Sequence, residues 1–272
     1  MIPIKDNIPT DRFPLVTVAL ILANFIVYIL AVRHGGSFIS GPDTQEVLKY
    51  GAVPYSLTHS GAHCGEFARQ TLSGPQSVGI FCSGQHLPDG SIAHVPARGT
   101  IASWETVFTA MFMHASILHI GGNMLFLWIF GNNVEDAMGP VKYLAFYILG
   151  GIAALALQVA IGPNSSVPTL GASGAIAAVL AGYIVLYPRA RVLTLVIIIF
   201  FFTVIELPAW IFLGIWFAEQ ALFGAANLTT PTGGGGGVAY FAHVGGFVFG
   251  LLTVRLLATR RKQIPASRYP VY

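Results

Sequence analysis

Charge is what this chain has least of. Only 9% of its 272 residues are charged, against about 25% in an ordinary soluble domain. Hydrophobic residues make up 54%, and the mean hydropathy is +0.70. So few charges cannot coat a globule of 29.0 kDa, which excludes soluble globular, disordered and coiled-coil classes. The net charge of +3 is small and scattered, which excludes a nucleic-acid-binding surface. Cysteine is equally scarce: two residues cannot staple a chain of this length, although Cys64 and Cys82 can close one loop. What is left is an all-α polytopic membrane protein, read as one domain over residues 1–272 with no soluble domain appended.

What the chain does have is apolar runs of bilayer length, about 20 residues each. They predict spans at about residues 14–32, 104–130, 141–161, 171–186, 207–224 and 238–258. The first run is too long for a signal-peptide core, and its leader mixes Asp6 and Asp11 with Lys5 and Arg12, so it reads as a retained span. Residues 1–13 and 259–272 then form terminal segments. Residues 33–103, rich in Gly, Pro and Ser, form a long first outer loop. Residues 193–205 are β-branched and aromatic and read as an interfacial or re-entrant connector. Residues 229–237 form a turn-rich link ending in five glycines.

Six spans put both termini on one side. With the termini inside, the inner segments hold Lys5, Arg12, Lys142, Arg189, Arg191, Arg255, Arg260, Arg261, Lys262 and Arg268, and the outer loops hold Arg33, Lys49, Arg69 and Arg98. The positive-inside rule then predicts cytoplasmic termini, and the expected location is the cell membrane. An oxidising outer compartment favours a Cys64–Cys82 disulfide in the first loop. His59, His63 and His86 flank those cysteines, which leaves a metal site or free thiols as alternatives.

A polar group inside a bilayer needs a partner or a purpose. Three clusters qualify: His114, His119 and Asn123 in the second span, Gly171-Ala172-Ser173-Gly174 at the start of the fourth, and His243 in the sixth. Ser173 opens an apolar helix between glycines, where free N–H groups and the positive dipole end favour a developing oxyanion. The plainer reading is a serine cap between packing glycines. A serine nucleophile needs a base, and His243 is the candidate. Gly246 and Gly250 lie along its face, and Ala177, Ala178, Ala181 and Gly182 form a small face below Ser173. Tight contact of the two faces sets imidazole and hydroxyl together; the plainer reading is a packing histidine. His119 and Asn123 are four residues apart on one helix face and can donate to an oxyanion without carrying charge. His114 sits at another angle and reads as orienting a loop or helix end. A metal held by His114 and His119 is poorly served by their five-residue spacing.

These residues, in this order, resemble the rhomboid intramembrane serine proteases, and the resemblance runs from about residue 104 to 257. It implies a six-transmembrane-helix bundle of bacterial type, with a water-filled site below the outer surface. It implies Ser173 as nucleophile and His243 as general base with no third acid. His119, Asn123 and the Ser173 N–H become the oxyanion hole, and His114, Gly171, Gly174, Gly246 and Gly250 support it. The fifth span becomes a mobile side gate and the glycine-rich link a cap. The reaction implied is peptide-bond hydrolysis in or near the transmembrane segment of another protein, with no cofactor, no metal and the bilayer as surroundings. Two positions depart from the family pattern: Trp104-Glu105 stands where Trp-Arg is common, and Ala177 stands where a tyrosine commonly stacks on the histidine. Glu135 resembles a structural glutamate of the family. A transporter or channel with Glu206 and Glu219 on a polar path is the alternative from another class, and an inactive binder of membrane helices is the second.

Overall fold

In a computed structural model, which describes residues 1–71, 74–96, 101–198, 201–229 and 239–259, the apolar runs become helices. The chain opens with strand β1 (Ile2–Asp6) and enters α1 (Leu15–His34). Small elements follow: β2 (Gly36–Ser37), β3 (Gly41–Pro42), α2 (Thr44–Tyr50), α3 (Pro54–Thr58), and a hairpin of β4 (Cys64–Thr71) and β5 (Gly74–Cys82). Cys64 and Cys82 pair across its first rung as a disulfide. Then come α4 (Thr106–Thr109), α5 (Ile117–Phe126), a π-helical turn (Leu127–Gly131), α6 (Asn132–Met138) and α7 (Pro140–Ile161). The chain continues through α8 (Ser173–Leu186), strands β6 (Arg191–Ile198) and β7 (Phe201–Pro208), α9 (Ala209–Thr229) and α10 (Tyr240–Leu257).

Among the described residues four helices are long and apolar enough to cross a membrane: Leu15–His34, Pro140–Ile161, Ala209–Ala226 and Tyr240–Leu257. The 14-residue α8 is shorter, and buried side chains surround most of it. A helix apolar on every face belongs at the centre of a bundle, and α8 packs there between α7 and α10. The contacts are backbone-close. A β-carbon on Gly246 would strike the Gly174 carbonyl oxygen, and one on Gly250 the Ala178 carbonyl oxygen. On the other face, a β-carbon on Gly150 of α7 would lie 2.6 Å from Cβ of Ala178.

Three expectations change here. The chain is mostly helical rather than all-α. Residues 193–198 and 201–205, expected as an interfacial or re-entrant connector, lie in paired strands: β6 and β7 run antiparallel from Arg191↔Pro208 to Ile198↔Phe201. β1 adds to β6 as a third strand. Branched and aromatic side chains suit a pleated surface, and pairing satisfies the backbone groups of an apolar stretch. The fifth apolar helix accordingly begins at Ala209, close to the expected start. The run 104–130 is also not one helix. Ser116 breaks it by accepting the His119 N–H at 3.1 Å as an N-cap, and helix then continues past residue 130 to Met138.

Two carboxylates tie the β1 end of the bundle together. Glu135 accepts from the Val16 N–H (2.9 Å), the Thr17 N–H (2.8 Å) and the Thr17 hydroxyl (2.8 Å), satisfying the first turn of α1. Asp6 accepts from the Tyr183 hydroxyl (2.6 Å) and the Asn133 amide (2.8 Å). Burial raises the Asp6 pKa to about 6. At the opposite end, residues 35–96 rest on the α7–α8 connection: Ala52 exchanges backbone hydrogen bonds with Thr169, and the Tyr55 N–H donates to Ser165 O.

Candidate active site

Ser173 is the first residue of α8, where helical N–H groups lack intrahelical partners. The chain reaches it through Gly171, whose φ of +118° lies in the left-handed region that favours glycine. A β-carbon at Gly171 would lie 2.9 Å from Nε2 of His119 and 3.6 Å from Oγ of Ser173. The absent side chain therefore lets the His119 ring and the serine hydroxyl share one space.

His243 reaches the same space from α10. Its Nε2 is 2.7 Å from Ser173 Oγ, across the contact made by Gly246 and Gly174. Its Nδ1 is 2.7 Å from Oε1 of Gln220 on α9. The Trp216 ring, four residues before Gln220, has its centroid 5.8 Å from that of the imidazole. The Ala242 N–H donates to Oε1 of Gln158 on α7 at 3.2 Å, fixing the first turn of α10.

On α5, Nδ1 of His119 accepts the Ala115 N–H at 3.4 Å. A neutral imidazole accepting at Nδ1 carries its proton on Nε2, the nitrogen that faces Gly171. Asn123 follows one turn later. It is buried, and its Nδ2 has no hydrogen-bond partner among the described residues. An orphaned buried amide donor costs stability and calls for a functional explanation. His114 is fully buried. It donates from Nδ1 to Phe112 O (3.2 Å) and accepts the Ala172 N–H at Nε2 (3.5 Å), joining the α4–α5 connection to the residue before Ser173. Its ring meets that of His119 edge-on at 5.1 Å. A cavity of about 30 Å³ adjoins Ser173, lined by small or apolar residues including Met111, Ala154, Gly171 and Ala242.

The site therefore gathers Ser173, His243, His119, His114, Gly171, Gly174 and Gly246 by direct contact, with Asn123 on the same face of α5 as His119. Gly250 lies deeper in the α8–α10 contact. The remaining polar candidates lie elsewhere. Glu206 pairs with Arg191 at 3.1 Å in the β6–β7 hairpin, and Glu219 is exposed on α9. The His59 ring stacks on Tyr55 at 3.9 Å. Among the described residues no three His, Cys, Asp or Glu side chains converge as a metal site. Glu105 accepts the Ala102 N–H within its own turn. The glycine-rich link and most of the basic tail lie outside the described residues. Gln220 and Trp216 are not among the sequence candidates, although an uncharged amide within an apolar span is the signal that singled out Asn123.

Residues 102–260 match the family model described as "Rhomboid domain". The chain is 30% identical over 161 residues to "Rhomboid protein 1, mitochondrial" of Saccharomyces cerevisiae, covering 56% of this chain and 41% of that protein. It is 31% identical over 112 residues to "Presenilin-associated rhomboid-like protein, mitochondrial" of Homo sapiens, covering 40% and 28%. It is 29% identical over 100 residues to "Rhomboid-like protein 11, chloroplastic" of Arabidopsis thaliana, covering 37% and 35%. Each match spans less than half of the relative's own length. The organelles in these names overturn the expectation of a cell-membrane protein with cytoplasmic termini. Charge bias distinguishes the two faces of a membrane but carries no information about which membrane it is; the membrane assignment itself stands.

Proposed function

The chain belongs to the rhomboid family, and from that premise we propose that it is an intramembrane serine endopeptidase cutting peptide bonds in or near transmembrane segments of other proteins. The observation that carries the reading is the 2.7 Å approach of His243 Nε2 to Ser173 Oγ between two helices packed too tightly for a β-carbon. In this reading the helical bundle crosses the bilayer six times, with α8 and the α5–α6 stretch completing the four long helices. His243 takes the serine proton as the hydroxyl attacks the scissile carbonyl, then returns it to the leaving amine. The tetrahedral oxyanion forms beside Gly171, where His119 Nε2–H, the Asn123 amide and the Ser173 N–H supply donors without bringing a charge into the bilayer. The Asn123 amide donor, without a partner among the described residues, supports this: its burial is costly at rest and is answered when the oxyanion forms. The small lining of the adjoining cavity suits a substrate with a small side chain at the cleaved bond.

The test is cleavage of a tagged single-span protein in lipid by wild type, Ser173→Ala and His243→Ala. Wild type cuts and both variants are inert; continued cleavage by Ser173→Ala would end the assignment.

A further inference from the structure

The Ser173–His243 reading leaves one strong contact unused: the bond between His243 Nδ1 and Gln220 Oε1 at 2.7 Å. An amide oxygen only accepts, so this bond requires the imidazole proton on Nδ1. That leaves Nε2 with its lone pair, and the Ser173 hydroxyl at 2.7 Å must then be the donor. The opposite tautomer would put a proton on Nε2 and leave no base facing the serine. Tautomer choice in such pairs is set by what the second ring nitrogen meets. Among the described residues Gln220 is the hydrogen-bond partner of His243 Nδ1.

The ring's orientation has the same origin. Ala177, one turn after Ser173, carries no ring to lie against the imidazole. Trp216, one turn before Gln220 on the same face of α9, approaches it instead. A second aromatic from α9, Phe217, stacks on Phe247 of α10 with centroids 4.3 Å apart, which fixes α9 against α10 at this level. Both groups that hold His243 thus come from α9, whereas its hydroxyl partner comes from α8.

We propose that Gln220 is a positioning residue, holding His243 in the Nδ1–H tautomer so that the base is set only while α9 is packed against α10. The proposal rests on the protease reading for its kinetic consequence, but the tautomer is a property of the resting protein and is measurable without turnover.

The experiment compares wild type, Gln220→Met, Gln220→Glu and Ser173→Ala in lipid, by kinetics and by ¹⁵N NMR of histidine-labelled protein. His243→Ala identifies the His243 signal among the 8 histidines. Wild type shows a protonated Nδ1 and an unprotonated Nε2 at His243. Gln220→Met, similar in size but without a strong acceptor, loses that pattern. Its kcat falls about 10- to 100-fold, the cost of a lost hydrogen bond to a group that becomes charged, while KM changes less than about twofold. Gln220→Glu restores an acceptor at the same reach and recovers most of the kcat, whereas a purely packing role would leave Gln220→Met, of similar volume, as active as wild type. A wild-type Nδ1 without its proton, or a Gln220→Met kcat equal to wild type, overturns the proposal. Cleavage surviving in Ser173→Ala would instead overturn the protease reading and leave the NMR result to judge Gln220 alone.

Discussion

At the scale of single residues, the site is economical with charge: its polar groups are a hydroxyl, imidazoles and amides, each with a partner or a task. Asn123 is the informative one, because its buried amide donor has no partner among the described residues. Asn123→Ala is expected to lower kcat about 10²-fold, as loss of one oxyanion donor does elsewhere, with KM nearly unchanged and no loss of thermal stability. An unchanged kcat would remove Asn123 from the oxyanion hole. Much at this scale is legible in the sequence. Polar side chains are expensive in lipid, so Ser173, His119, Asn123 and His243 stand out against their apolar runs. Gln220 obeys the same rule and escapes notice, because its meaning depends on which nitrogen of His243 it meets. That contact lies 23 residues away and between two helices, beyond what local pattern can say.

At the scale of elements, the decisive contact is between α8 and α10. Gly246→Ala would drive a β-carbon into the Gly174 carbonyl. The expected cost is about 1–3 kcal/mol of overpacking strain, read as a lower Tm in detergent together with lost activity. Gly214→Ala on α9, where a β-carbon meets nothing within 4 Å, should instead be neutral or slightly stabilising, since alanine is the better helix former. Equal effects of the two substitutions would contradict the packing described for α8 and α10. Glu135→Ala, which strips three acceptor contacts from the start of α1, should lower Tm while leaving the tautomer of His243 intact. The stripes of small residues flanking Ser173 and His243 make this helix pairing readable in advance. The β6–β7 hairpin is not readable, because an apolar run of branched residues fits a buried helix or a strand equally well. Its pairing with β1 joins residues from opposite ends of the first two-thirds of the chain (Pro3 with Thr194, for example).

At the scale of the whole molecule, the β1 strand is bound to the central helix through Asp6 and Tyr183, and this link carries a pH signature. Burial lifts Asp6 from the ordinary carboxyl value of 3.8 to about 6 in the folded protein, so the fold favours the protonated acid. The stabilisation is fully present below about pH 3.8 and is lost as pH rises through about 6. Wild type should therefore gain Tm relative to Asp6→Asn as the pH is lowered from 7 to 5 (both values chosen to bracket the folded pKa, roughly one unit either side); parallel curves would show that Asp6 does not titrate in the fold. The scarcity of charge in the chain fits this architecture: carboxylates such as Asp6 and Glu135 pin the β1 end, and neutral groups occupy the site at the other end of α8. In the proposed function Ser173 is a nucleophile activated by His243. Its most direct test is treatment of the protein in lipid with a fluorophosphonate, followed by mass spectrometry to locate the adduct. One adduct is expected, on Ser173, formed by wild type and strongly diminished in His243→Ala. An adduct elsewhere, or labelling of Ser173 that is indifferent to His243, would contradict it.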